Sequence, residues 1–477
     1  MRRTKIVCTI GPASRSVEQL DRLVAAGMDV ARLNFSHGNH AEHAEVIRLL
    51  REGAERWGRP VAILQDLQGP KIRLGTFGEA GGGRVDLQAG ARFALCRTPC
   101  AGSAERVFVS PPEYLAEVKP GDQVLMDDGM IQLQVEETTP DEVRCRVVAG
   151  GIVSDHKGLS LPHVDLPASC LTDKDRTDLV FGIQHGVDFV ALSFVRSAAD
   201  IAHVREFLHA RGADDLPLVA KLERQEAMDN LTEILAQVDA VMVARGDLGV
   251  DVPLEDVPHM QKEIIRQARQ AKVPVIVATQ MLESMVTHLR PTRAEVSDVT
   301  TAIFDSADAI MLSAETASGR YPAEAVAVMA RIAERAEAAA LAQEAPRRRR
   351  EGVADFPEAI ADAAARVARL LQARAIVAFT QSGFSARLIS QERPDVPIIA
   401  LTPFPSVQRR LALSWGVSSR LIRKVGTTDE LIEEVEATLL GDGSVSLNDT
   451  IVLISGSPMW VSGTTNLIKV HRVGERR

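Results

Sequence analysis

The stretch VAILQDLQGPKIRLG, residues 61–75, decides how the rest of the chain is read. It opens as an apolar run suited to a buried strand and ends in an acid, Asp66. It then breaks at Gly69-Pro70 and at once presents two cations, Lys71 and Arg73. A buried strand with a charged tip points that tip at something, and the break beyond it marks where one architecture gives way to another.

Similar β-branched runs recur on either side: KIVCTI (5–10), MDVARLNF (28–35), VAILQDL (61–67), DFVALSF (188–194), LVAKLE (218–223), AVMVARGD (240–247), VPVIVAT (273–279) and AIMLSAE (309–315). Amphipathic stretches separate most of them, among them SVEQLDRLVAAG, TDKDRTDLVFGIQHG with a Thr172/Asp175 capping pair, and YPAEAVAVMARIAERAEAAALAQ. Near-continuous apolar strands alternating with helices imply a parallel sheet covered by helices. Eight such units predict an α/β fold built on a (β/α)8 TIM barrel, residues 1–69 and 168–345. Residues 70–167 alternate in twos between Gly, Pro and Asp-Gly turns, which predicts a small all-β lid domain inserted after barrel strand three. APRRRREGV (345–353) reads as an exposed linker. Residues 346–477, with the helix FPEAIADAAARVARLLQ and the strands AIVAFT, PIIALT, TIVLISG and LIKVHRV, predict a C-terminal α/β layer domain.

Composition narrows the function. The chain has 477 residues, 45% hydrophobic and 25% charged, and a formal charge of −9, which argues against a dedicated nucleic-acid surface. Five cysteines without framework spacing suit a reducing compartment. The N-terminal apolar stretch is too short for a signal core, and no segment approaches the ~20 apolar residues of a membrane span. A cytoplasmic protein with no nucleic-acid or membrane partner is expected.

In such a barrel the C-terminal strand ends converge on one site. Here they are polar: Arg32, Asn34, Ser36 and His37 after strand two, Asp66 after three, Lys221 and Glu223 after five, Arg245, Gly246 and Asp247 after six, Thr279 after seven, Ser313 and Glu315 after eight. Glu223 and Asp247, two carboxylates on adjacent strands, suit a hard divalent cation such as Mg²⁺. An ion-pair network among these acids and bases is the alternative for any one of them. Together, a lysine, two metal-binding carboxylates and further arginines fit phosphoryl transfer, which depends on positioning and on neutralising charge. The turn ARGDLG adds backbone N–H groups where a short helix begins.

These residues resemble those of the pyruvate kinase family. TKIVCTIGPAS, DVARLNFSHG, QGPKIR, VAKLE, VMVARGDLGV, ATQMLESM, RPTRAEVSDV and IMLSAET match that family's motifs in order across the chain. The resemblance implies transfer of the phosphoryl group of phosphoenolpyruvate to ADP, giving ATP and pyruvate. It implies Glu223 and Asp247 as ligands of Mg²⁺, with Mn²⁺ as a substitute, and Lys221 as the group that stabilises the moving phosphoryl. Arg32 and Arg73 become phosphate-binding residues, and the backbone from Ala244 through Arg245 and Gly246 to Asp247 a cradle for the substrate carboxylate. Thr279, or a water chain involving Ser313, delivers the proton. Asn34, His37 and Lys157 are implied nucleotide contacts.

Where family members bind K⁺ they carry Thr, Lys and Glu at the positions of Leu67, Gln68 and Lys71. This chain resembles the subgroup that needs no K⁺, so the ammonium of Lys71 is expected to replace that cation near Asn34, Ser36 and Asp66. Ser160, His163 and Ala314 also depart from the family pattern. In the C-terminal domain, Thr380, Ser382, Gly383, Ser385, Ser455, Gly456, Gly463 and Thr464 lie in two small-residue loops where the family binds effectors, a sugar phosphate or AMP. Neither loop contains a lysine or arginine. A homotetramer is implied too. Two competing functions are another phosphoenolpyruvate/pyruvate barrel enzyme and a non-catalytic effector-binding relative. The ordered motifs with Lys221 argue against the first, and the intact metal and lysine positions against the second.

Overall fold

Eight parallel strands close into a barrel in a computed structural model of the chain, which describes residues 2–78, 83–127, 129–162, 170–342, 355–457 and 463–475. They are β1 (Lys5–Ile10), β2 (Val30–Asn34), β3 (Ala62–Asp66), β4 (Phe189–Leu192), β5 (Leu218–Leu222), β6 (Ala240–Ala244), β7 (Val275–Ala278) and β8 (Ala309–Leu312), with β8 pairing back to β1. Nearly every strand residue is buried, because helices cover the outside and side chains fill the inside. The expected capping pair forms. Thr172 accepts from the Asp175 backbone, the Asp175 side chain returns to the Thr172 N–H, and helix Asp173–His185 ends at a left-handed Gly186.

After β3 the chain leaves the barrel through Gly69, whose φ of +68° suits the turn. The inserted unit is all-β, as expected. Seven of its strands close into a second, smaller barrel, and two more form a separate antiparallel pair. The outgoing strand Ile72–Leu74 and the returning strand Gly158–Ser160 pair antiparallel, Gly158 opposite Arg73 and Leu159 opposite Ile72, so both connections to the barrel lie side by side. His163 and the 345–353 linker fall outside the described residues.

The C-terminal unit is a five-stranded sheet in the order Val417–Leu421, Ile398–Thr402, Ala375–Phe379, Thr450–Gly456, Thr465–Arg472. The last strand is antiparallel and the others parallel. Four of the five were legible as apolar runs. Val417–Leu421, VSSRL, alternates with polar residues at an edge and carries no such run.

Two features occupy the lower rim, where the strands begin. Asp29, Asp188, Asp239 and Asp308 stand immediately before β2, β4, β6 and β8, and each makes the same pair of hydrogen bonds. Their backbone N–H groups donate to the carbonyls of Ile6, Ile63, Leu218 and Val275, and their carboxylates accept from the N–H groups of those same residues at 2.8–2.9 Å. Arginines neutralise them. Arg409 and Arg393 reach Asp188 and Asp308 from the C-terminal unit, at 2.7 and 2.8 Å. Beside them, Leu413 of the C-terminal unit packs into the barrel interior with Val7, Leu64, Met242, Ile276 and Met311.

Candidate active site

At the upper rim the charged strand ends meet as the sequence predicts. Arg32 donates from Nε to Asp66 Oδ2 at 2.6 Å and from Nη1 to Thr9 Oγ1 at 2.9 Å. Lys221 Nζ lies 2.8 Å from Glu223 Oε1, 3.3 Å from Asp66 Oδ1 and 2.7 Å from Ser193 Oγ. All four charged groups are buried, so each needs opposite charge beside it. Burial works against the Asp66 carboxylate, but Arg32 and Lys221 more than offset it and hold its pKa below the usual range. Burial likewise disfavours the Lys221 ammonium, yet Asp66, Glu223 and Asp247 hold its pKa above the ordinary lysine value. Glu223 comes out the other way: burial pushes its pKa up, Lys221 offsets only part of that, and Asp247 adds to the rise.

Glu223 and Asp247 line one cavity between barrel and lid, together with Lys71, Ser160, Phe194 and Arg196. Their donor set, two carboxylates from neighbouring strands, fits a divalent cation that completes its shell with substrate oxygens and water. No group of three or more His, Cys, Asp or Glu side chains disposed to hold a metal occurs among the described residues, so protein ligands alone do not make a closed metal cage.

The expected short helix begins at Arg245 and runs to Asp251. The Arg245 side chain turns away from the rim and ties β6 to β7, donating to Thr279 O and Asp298 Oδ1, both at 2.7 Å. What the 244–247 segment offers a ligand is therefore backbone. Gly246 N donates to Thr279 Oγ1 at 2.8 Å, and that hydroxyl is 2.6 Å from Ala278 O. Thr279 and Gln280 both take positive φ, +69° and +53°, and so does Phe194 at +56°. Non-glycine residues held there cost about 1–3 kcal/mol each and collect where function over-determines the backbone. Ser313 Oγ is buried with no hydrogen-bond partner among the described residues.

Beyond β2, Asn34 pairs in register with Asp66, and its Oδ1 accepts from Ser36 N at 3.1 Å. His37 is exposed; partial burial and the charges of Arg73, Lys71 and Arg32 lower its pKa. Arg73 donates to His156 O at 3.1 Å and lines a second cavity at the hinge with Gln68, Lys71, His156 and Lys174. Lys157 lies on the lid, its ammonium 2.6 Å from Asp127 Oδ1. The ammonium of Lys71 forms an ion pair with Asp247 Oδ1 at 3.7 Å. The turn at Gly69-Pro70 carries residue 71 across the mouth toward β6, and Asp66 is already matched by Arg32 and Lys221.

The two C-terminal loops come together. Ser385 and Thr465 share a hydrogen bond of 2.6 Å, and a side chain at Gly456 would collide with Thr464. Gly383 opens helix Phe384–Gln391, Thr380 and Ser455 are buried nearby in sequence, and Gly463 takes positive φ. One turn along that helix, Arg387 places a guanidinium beside the first loop and donates to Ser382 O at 3.1 Å. Sequence reasoning passed over Arg387, and also Thr9, Ser193 and Phe194 on the rim. Those three carry no charge, and only their position at the ends of β1 and β4 signals them.

Comparison with known proteins bears on the whole chain. The family model described as "Pyruvate kinase, barrel domain" matches residues 1–326, and "Pyruvate kinase, alpha/beta domain" matches 358–471. A pyruvate kinase of Mycobacterium tuberculosis (strain H37Rv) is 46% identical over 478 residues, 99% of each chain. One of Geobacillus stearothermophilus is 44% identical over 477 residues, 99% of this chain and 81% of that one. A crystal structure of a pyruvate kinase from Cryptosporidium parvum superposes with a TM-score of 0.88 at 35% identity, covering 99% of this chain and 96% of that one.

Proposed function

This chain belongs to the pyruvate kinase family of phosphotransferases, and from that premise we propose how its residues divide the transfer of a phosphoryl group from phosphoenolpyruvate to ADP. The observation that carries the assignment is the buried ammonium of Lys221, 2.8 Å from Glu223 and 3.3 Å from Asp66. Lys221 offers its positive charge to the phosphoryl group as the bond to the enol oxygen breaks and a new one forms to the terminal oxygen of ADP. Arg32 and Arg73 bind phosphate oxygens. Asn34, His37 and Lys157 contact the nucleotide. The backbone of residues 244–247 receives the substrate carboxylate. Thr279, or water held at the unpartnered Ser313 hydroxyl, delivers the proton that converts the enolate to pyruvate.

Glu223 and Asp247 would hold Mg²⁺ or Mn²⁺, which when bound supplies charge that neutralises and orients the reacting phosphoryl oxygens. Lys71 fixes a positive charge at the same mouth, and on that ground the enzyme works without K⁺. The C-terminal loops with Arg387 take a sugar phosphate or AMP as effector, and the chain acts as a cytoplasmic homotetramer.

The test is pyruvate formation from phosphoenolpyruvate, ADP and Mg²⁺, run in tetramethylammonium buffer with and without K⁺. Turnover in both is expected, and Lys71→Glu should make it depend on K⁺. No product above background sinks the functional assignment. Activity restored only by K⁺ in the unaltered chain sinks the role of Lys71 alone.

A further inference from the structure

Ser193 follows the last residue of β4, is 2% exposed, and carries no charge. Its hydroxyl lies between two groups. Lys221 Nζ donates to Ser193 Oγ at 2.7 Å, and Ser193 Oγ donates to Leu67 O at 2.7 Å. A hydroxyl has one proton. With that proton committed to Leu67, a lone pair is left facing the ammonium, so the direction of the bond to Lys221 is fixed by the backbone beyond β3.

Lys221 has three N–H bonds and three oxygen neighbours: Asp66 Oδ1 at the end of β3, Ser193 Oγ just beyond β4, Glu223 Oε1 just beyond β5. Two of the three are carboxylates that attract the charge strongly. When a phosphoryl group takes a share of that charge, the neutral hydroxyl is the partner that can go on orienting the ammonium without competing for it.

The same residue touches the exit to the lid. Leu67 O is its acceptor, and a side chain on Gly69 would bring its first carbon 2.7 Å from Ser193 Cβ. Gly69 N in turn donates to Asp175 Oδ1 at 3.1 Å, and Asp175 caps the helix by which the chain re-enters the barrel. The next residue, Phe194, donates its backbone N–H to Glu223 Oε2 at 2.8 Å. One turn therefore holds Lys221, Glu223 and the outgoing hinge together.

We propose that Ser193 is a positioning residue for the phosphoryl-transfer step: it aims the Lys221 ammonium and passes the setting of the outgoing lid hinge, Leu67–Gly69, to it. The inference rests on Lys221 being the group that meets the phosphoryl, and its test separates the two claims.

Ser193→Ala is expected to lower kcat by about ten- to hundredfold, as loss of a hydrogen bond to a charged group does. KM for phosphoenolpyruvate should stay within about threefold and Mn²⁺ affinity should be unchanged, because neither is held by the hydroxyl. Ser193→Cys keeps the size with a poor acceptor and should lose kcat similarly, which serves if the alanine variant folds badly. Gly69→Ala should also lower kcat, and by a smaller factor in the Ser193→Ala background, since the hydroxyl that relays the hinge is gone. A kcat within about twofold of the parent in Ser193→Ala or Ser193→Cys overturns the inference. So do strictly multiplicative effects in the double variant, or a loss of Mn²⁺ binding that parallels kcat. Lys221→Met is the control: if it keeps turnover, the assignment of Lys221 has failed, whereas an inactive Lys221→Met beside an active Ser193→Ala refutes only the role of Ser193.

Discussion

Glu223 bears opposite demands at one side chain. It must be ionised to bind a cation, yet it is 1% exposed and burial raises its pKa. Metal binding requires the carboxylate form, so protons and metal compete for it. Mn²⁺ affinity measured by water relaxation should therefore weaken on acidification beginning above the ordinary glutamate range of ~4.3. Glu223→Gln should bind at least tenfold more weakly and lose most of that pH dependence; an unchanged acid limb in the variant would assign the titration to another group. At this scale the sequence was legible where a residue carried charge. Arg32, Asp66, Lys221, Glu223 and Asp247 could be read because a charge at the end of an apolar run has few structural explanations. Thr9 and Ser193 could not, because a small hydroxyl at a strand end is common and its partners come from elsewhere in the chain. The ion pair of Lys71 with Asp247 was not legible for a related reason: its direction depends on the turn at Gly69-Pro70, which local composition announces but does not aim.

Among the elements, helix Asp173–His185 shows what a local signal can specify and what it leaves out. The Thr172/Asp175 pair announces the helix start, and the capping box forms. That Asp175 also accepts from Gly69 N, across 106 residues of chain, is a tertiary fact with no local trace. Thr172→Ala should cost about 1 kcal/mol, the usual value of an N-cap, read as a lowered midpoint in urea. Asp175→Ala should cost more, since it removes the reciprocal half of the capping box, the bond to Thr172 N, and also leaves the buried Gly69 N–H at the hinge unpaired. Equal costs would show that the contact to Gly69 adds nothing. The edge strand Val417–Leu421 marks the opposite limit: its residues alternate, and what makes it a strand is the neighbour Ile398–Thr402 on which it pairs.

Across the whole molecule, the barrel and the C-terminal unit meet over buried charge. Lys5, in β1, donates to Val417 O at 2.7 Å, and burial lowers its pKa from 10.5 to about 8. The unfolded chain keeps this proton up to its ordinary value, so between about pH 8 and 10.5 the unfolded state binds more protons than the folded one. Stability contributed by Lys5 therefore rises with pH through that window. Comparing the urea midpoint at pH 8 and pH 10 should show a rise in the parent chain that Lys5→Met lacks. A Lys5→Met variant with the same pH response would place the effect on other groups. The order of the units and the class of each were legible from the change of period alone, 3.6 to 2 and back. How they dock was not, because Leu413, Arg393 and Arg409 look like ordinary residues of a helical surface until the lower rim is set against them.

The four aspartates of that lower rim have a consequence in terms of rotational symmetry. Each repeats one hydrogen-bond pattern at every second strand, so a quarter turn about the barrel axis carries each aspartate onto the next. The upper rim has no such operator: β2, β3, β5 and β6 end in different chemistry, and only one place in the circle opens into a lid. The barrel is thus fourfold where it closes and onefold where it reacts. A substitution at the reacting end leaves the closing pattern untouched, so the strand ends of the upper rim can change one at a time while the circle that holds them keeps its shape.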